Sequence, residues 1–125
     1  MDYIFYLARL LLGGYFILNG FGHFKNINAM SGYAASKKVL FPKASVSATG
    51  LLLFLGGLGV LSWTMVPIAV GMLSLFLILV SFKMHAFWNA TDPNLRMNEY
   101  INFTKNMALL GGVLMLLFVG TVWVY

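Results

Sequence analysis

Residues 81–106, SFKMHAFWNATDPNLRMNEYINFTKN, gather most of the chemistry that this chain of 125 residues can offer. The stretch holds His85, the carboxylates Asp92 and Glu99, and the cations Lys83, Arg96 and Lys105. A histidine can pass a proton or donate to a carbonyl, a lysine can hold negative charge, and a tryptophan such as Trp88 can cover a ring. The other histidine, His23, closes the apolar run GYFILNGFGHF. The chain has no cysteine, which excludes disulfide exchange, covalently attached c-type haem and cysteine-ligated iron–sulfur clusters. Redox work here needs a dissociable cofactor such as a quinone, or a partner protein. His23, His85, Asp92 and Glu99 carry metal-capable atoms, but no two histidines stand at i, i+4, so no metal site is expected. Both histidines fall at the same ends of their helices, unlike the opposed pair that sandwiches a haem. Nothing resembles a phosphate-binding glycine loop or a nucleophile–base pair.

The elements that must position these groups are membrane spans. The chain is 61% hydrophobic and 9% charged, far from the roughly 25% charged residues of soluble domains. Residues 44–82 contain no charged residue and no histidine, enough for two crossings of roughly 20 residues each. Ser62-Trp63-Thr64, with Pro67 just beyond, is the natural turn between them. Residues 106–125 are uncharged, and 3–22 are broken only by Arg9. The reading is an all-α protein of one domain, residues 1–125: an integral membrane four-helix bundle with a short interfacial amphipathic helix after the first span. The spans are expected at about 3–22, 44–62, 65–84 and 104–124, with connections at 23–43 and 85–103. Asp2 and the lack of a basic leader give no sign of a cleavable signal peptide, so the first span is expected to be the address.

Charge orients the spans. Lys25, Lys37, Lys38, Lys43, Lys83, Arg96 and Lys105 lie in or beside the two long connections, and only Arg9 sits nearer the other side. The positive-inside rule then puts both connections in the cytoplasm and both termini outside the inner membrane. Tyr3, Tyr6, Trp63, Trp123 and Tyr125 would form the outer aromatic belt. The net charge of +5 favours anionic lipid head groups, and nucleic acid is not an expected partner. Phe24, Ile27, Met30 and Ala34 recur at helical spacing, which predicts the amphipathic helix, ended before Pro42. Asp92-Pro93 reads as an N-cap and first helical position, opening one or two helical turns up to Tyr100.

Small and polar residues mark protein-facing stripes in lipid. Arg9, Gly13, Phe16, Gly20 and His23 fall within about 40° of one line on the first span. Thr49, Gly56 and Gly57 mark the second. Gly71, Ser74, Ile78, Ser81 and His85 form a stripe on the third, and Lys105, Leu109 and Gly112 share a face of the fourth. These stripes predict that His23, His85 and Lys105 converge beneath the island, with Trp88 and Asn106 beside them. Each has a plainer reading. Arg9 can snorkel or bond carbonyls, both histidines suit helix C-termini, and Trp88 can be an interfacial anchor. Lys105 falls in the expected first turn of the fourth span, where a cation opposes the macrodipole, so Asp92, Glu99 or an anionic ligand should offset it.

Order and spacing of these motifs carry a resemblance. ARLLLGGYFILNGFGHF resembles the first helix of the DoxX family, with Arg9, Gly13, Phe16, Gly20 and a basic residue at His23. GLLLFLGGLGVL looks like its second helix, and HAFWNATDP followed by FTKNMALLGG is similar to the end of its third and the start of its fourth. Many members carry a glutamate in the second helix, where this chain has Thr49. The resemblance implies a four-helix inner-membrane protein associated with quinone-linked oxidation of sulfur compounds, with some relatives in oxidative-stress complexes and others in assembly of membrane proteins. Two functions follow as expectations. One is a membrane subunit of a redox system with a quinone cleft formed by His23, His85, Trp88, Lys105 and Asn106. The other is a scaffold or assembly factor that docks a partner protein through 85–103, with Arg9, Gly13, Gly20, Asp92 and Glu99 serving structure and interaction. A small-molecule or ion carrier would require a homo-oligomer or an inverted repeat, and no half-repeat is visible.

Overall fold

Five α-helices and one short 3₁₀ turn make up the computed structural model, which describes residues 2–122, with side chains described for 3–119. The helices are α1 (Asp2–Lys25), α2 (Ile27–Ser36), α3 (Pro42–Ser62), α4 (Val66–Met84) and α5 (Pro93–Val122), with the 3₁₀ turn at Phe87–Asn89. There is no strand among the described residues. Four stretches, Tyr3–Lys25, Pro42–Ser62, Val66–Asn89 and Pro93–Val119, are long and apolar enough to cross a bilayer. Leu7, Leu10, Leu11 and Leu18 are all more than half exposed, a surface suited to lipid and not to water. The chain is therefore an all-α integral membrane protein, as its composition requires. Trp123 and Tyr125 of the expected aromatic belt lie outside the described residues.

The chain divides into two compact units, Met1–Leu73 and Ser74–Tyr125. In the first, α1 packs along α3 at glycine contacts. A Cβ at Gly13 would stand 2.9 Å from the Gly57 carbonyl oxygen, and one at Gly20 would stand 2.7 Å from the Gly50 carbonyl oxygen. Gly13 and Gly20 are seven residues apart, as are Gly50 and Gly57, so two turns of each helix match in antiparallel register. Phe16 and Leu53, each 1% exposed, fill the space between these contacts. The predicted stripe on the first span is thus the α3-facing side of α1. Leu73 sets its side chain where a Cβ at Gly56 would come within 2.7 Å, and Ala69 does the same at Gly59.

Helix ends explain the turns. Trp63 follows α3 in the left-handed region (φ 58°), its N–H bonds Val60 O and the Thr64 N–H bonds Gly59 O. These two bonds form a Schellman motif, which satisfies two of the four carbonyls that a helix leaves open. A third open carbonyl, Leu61 O, accepts from Arg9 Nε at 3.0 Å and Nη2 at 2.6 Å. Arg9 also lies over the rings of Phe5 and Tyr6, and Phe5 meets Trp63 edge-on at 4.7 Å. The expected amphipathic helix is α2, which packs on α3 and touches α1. It too ends in a Schellman motif, with Lys38 N–H on Ala35 O and Val39 N–H on Ala34 O. Here Lys38 takes the left-handed position (φ 61°).

Two faces differ from expectation. The buried line of α4 is Val70, Leu73, Leu77 and Ser81. Gly71 is exposed and Ile78 is 44% exposed, so the predicted third stripe is turned by about one residue. The last helix does not pause after Tyr100: α5 runs unbroken from Pro93 to Val122. Lys105 therefore lies well inside a continuous helix, not in a first turn facing the positive end of a macrodipole. Its side chain is exposed, as is Gly112, and the buried line of α5 is Glu99, Asn106 and Val113.

Candidate functional site

The polar island forms its own structure in the second unit. His85 N–H still closes the last turn of α4 onto Ser81 O at 3.2 Å. Ala86 (φ −76°, ψ 75°) then makes an inverse γ-turn, with Phe87 N–H on His85 O at 2.9 Å. That turn ends α4 and leads into the 3₁₀ turn, closed by Asn89 N–H on Ala86 O and Ala90 N–H on Phe87 O. Asp92 caps α5. Its Oδ2 accepts from Leu95 N–H at 3.4 Å, its carbonyl accepts from Arg96 N–H at 2.9 Å, and Pro93 fills the first helical position. The missing proline N–H loses nothing there, because the first turn has no intrahelical acceptor to offer it.

The reversal brings His85 and Glu99 together. Nδ1 of His85 lies 2.7 Å from Oε2 of Glu99, with their side chains 15% and 4% exposed. A carboxylate this buried is strongly disfavoured unless a donor or a cation meets it. The carboxylate accepts, so Nδ1 carries the proton and Nε2 is the nitrogen left for other chemistry. Aromatic rings cluster with one another along the same reversal. Phe87 meets Trp88, Tyr100 and Phe103 at centroid distances of 5.2, 5.1 and 5.6 Å, all T-shaped. Phe103 also meets Phe82 at 5.3 Å and Trp88 at 5.5 Å. Each such edge-to-face pair adds about 1 kcal/mol beyond area burial. Trp88 nevertheless stays 47% exposed, so part of its surface remains open.

The remaining predicted residues are placed as follows. Asn106 is 6% exposed and lies two turns beyond Glu99 on the same face of α5. Asp92 and Arg96 are exposed. His23 belongs to the first unit, 8% exposed, with its Nδ1 donating to Asn19 O at 2.9 Å. It borders an open pocket of about 280 Å³ lined by Leu18, Asn19, Gly22, His23, Asn26 and Met30. Arg9, Gly13 and Gly20 serve the α1–α3 contact. Among the described residues no group of three or more histidine or acidic side chains draws close enough to hold a metal ion.

The His85–Glu99 pairing and the rings of Phe82, Phe87 and Phe103 are features that sequence reasoning did not find. A signal for the acid was present. Glu99, Asn106 and Val113 recur every seven residues, the spacing of one helix face, provided that the helix is taken to begin at Pro93. The pairing itself depends on the γ-turn at Ala86, which no residue type announces.

A family model described as DoxX matches residues 4–86. No curated protein and no solved structure matches the chain.

Proposed function

The chain belongs to the DoxX family, and on that premise we propose that it is an inner-membrane subunit of a redox system, binding a quinone-class ring beside His85. The observation that carries this reading is the 2.7 Å contact between His85 and the buried Glu99. Glu99 acts as a positioning residue. Its carboxylate accepts the hydrogen bond from Nδ1–H and so leaves Nε2 as the ring nitrogen for proton exchange with a bound ligand. A quinone, when bound, supplies two-electron redox chemistry coupled to protons. Trp88 offers a half-exposed aromatic surface for ring contact. Asn106 adds a buried amide along the Glu99 face, and Lys105 adds positive charge from the exposed side of the same helix. In this reading both long connections face the cytoplasm, because seven of the eight basic residues lie in or beside them.

Titration of the purified protein in lipid nanodiscs with menaquinone and ubiquinone analogues tests the proposal. Saturable binding that His85→Ala abolishes supports it. No saturable binding, or binding that is unchanged in His85→Ala, removes it.

A second reading has its own observation. Asn94, Leu95, Arg96 and Met97 at the start of α5 are all exposed, with Leu95 at 44% and Met97 at 59%. Such a mixed apolar and charged surface suits a docked protein, and the chain would then be a scaffold or assembly factor. Photocrosslinkers at Asn94 and Met97 in cells discriminate the two. A reproducible partner, in a strain whose phenotype is indifferent to His85→Ala, favours the scaffold.

A further inference from the structure

The connection between α2 and α3 has a built shape with an unusual surface. Leu40 is 81% exposed and Phe41 79% exposed. They are not a loose loop. The Schellman bonds at Lys38 and Val39 hold one side. On the other, Leu40 O accepts from Ser45 Oγ at 2.9 Å and Phe41 O from Ser45 N–H at 2.9 Å. Phe41 itself is left-handed (φ 48°), a conformation that a bulky residue adopts only when its surroundings enforce it. Two large apolar side chains are thus held outward at a tip that belongs to no spanning helix. Lysines stand on both flanks: Lys37, over the Tyr33 ring at 5.6 Å, then Lys38, and Lys43 in the first turn of α3. No acidic residue lies between Asp2 and Asp92 to neutralise them.

We propose that this tip is a binding site for anionic lipid head groups, with Leu40 and Phe41 seated at the acyl boundary and Lys37, Lys38 and Lys43 gathering the phosphates around them. An exposed apolar pair alone would suit lipid or protein equally. The surrounding positive charge selects the negatively charged surface, because each lysine near such a membrane favours it by about fivefold. Met65 supplies the internal contrast. It is 71% exposed and left-handed (φ 49°), but it lies in the turn between α3 and α4, within the uncharged stretch 44–82, where the nearby Arg9 guanidinium is engaged on Leu61 O. That turn should meet lipid without regard to head-group charge.

The cysteine-free chain makes the test direct. Leu40→Cys, Phe41→Cys and Met65→Cys each give a single labelling position for an environment-sensitive fluorophore in the full-length protein. Each is reconstituted in phosphatidylcholine vesicles with a fixed minority of phosphatidylglycerol, the bromine quencher being carried on one lipid or the other. At 40 and 41 the brominated phosphatidylglycerol is expected to quench on the order of fivefold more per molecule than the brominated phosphatidylcholine. High salt, or Lys37→Gln with Lys38→Gln and Lys43→Gln, should bring the two into equality, and the label at 65 should show no preference throughout. Two labelling positions guard against a folding defect at either one. Equal quenching by both lipids at 40 and 41 in the unsubstituted background overturns the proposal. So does full quenching by aqueous iodide with none from either lipid, which would turn the tip toward water or a soluble protein.

Discussion

Both Nε and Nη2 of Arg9 converge on one acceptor, the carbonyl oxygen of Leu61, at 3.0 and 2.6 Å. The acceptor lies on the last turn of α3, where no further helical N–H is available and a cation complements the dipole. Arg9→Ala is expected to lower stability by about 2 kcal/mol, since it removes a charge-assisted bond and strands the carbonyl. Arg9→Lys keeps the charge but not the fork, and should retain roughly half of that. Denaturant titration in detergent micelles measures both, and an alanine variant as stable as the parent would refute the capping role.

The His85–Glu99 pair makes a separate demand. Removing the imidazole deletes the 2.7 Å contact to a carboxylate of 3% exposure. His85→Ala should therefore cost about 2 kcal/mol, the scale of a lost hydrogen bond to a charged group. Replacing both with apolar residues, His85→Leu with Glu99→Met, should recover most of the loss. A double-mutant cycle read by thermal unfolding is expected to give a coupling above about 1 kcal/mol. Additive effects would show that the two side chains do not depend on each other.

Glycines on α1 divide into two classes. A Cβ at Gly13 or Gly20 would meet backbone atoms of α3 at 2.9 and 2.7 Å, whereas at Gly14 and Gly22 nothing lies within 4 Å. Backbone cannot rotate away as a side chain can, so Gly13→Ala and Gly20→Ala must push the helices apart, at about 2 kcal/mol each. Gly14→Ala and Gly22→Ala should be neutral or slightly stabilising. Unfolding midpoints of the four variants check the division.

Lys38 and Trp63 hold equivalent left-handed positions after α2 and α3, at φ 61° and 58°, yet glycine should affect them differently. Lys38→Gly relieves the Cβ crowding of that conformation and is expected to gain about 0.5 kcal/mol. Trp63→Gly gives the same relief but deletes the ring that meets Phe5 at 4.7 Å, so it should be destabilising. Opposite signs in a single unfolding assay are the expected result.

The α1 stripe was legible because close backbone approach admits only glycine, and glycine is visible in a sequence. Arg9, Gly13, Phe16, Gly20 and His23 all serve that face. The α4 face is not legible in the same way, because its packing residue is Leu73, a side chain that looks like any lipid-facing leucine. What makes it a core residue is the notch at Gly56 on another helix. On α5 the difficulty has a different origin. Taking residue 104 as the start hid the phase shared by Glu99, Asn106 and Val113, and gave Lys105 a strain it does not bear. Asp92-Pro93 reads as a helix opening, and the helix that it opens runs on past Tyr100 without the expected stop. The histidine–glutamate contact was beyond reach for a simpler reason. It spans 14 residues across a reversal whose geometry is set by backbone bonds and not by residue type.

The uninterrupted run of α5 has a consequence for proton supply. Thirty helical residues reach about 45 Å, while the oily slab of a bilayer is only about 30 Å thick. Roughly ten residues must then stand clear of the hydrocarbon, like a mast rising through a deck. If residues 104–122 fill the slab, the carboxylate at position 99 rests within about 8 Å of its surface. Exchange with bulk water at that height needs no wire through the lipid interior.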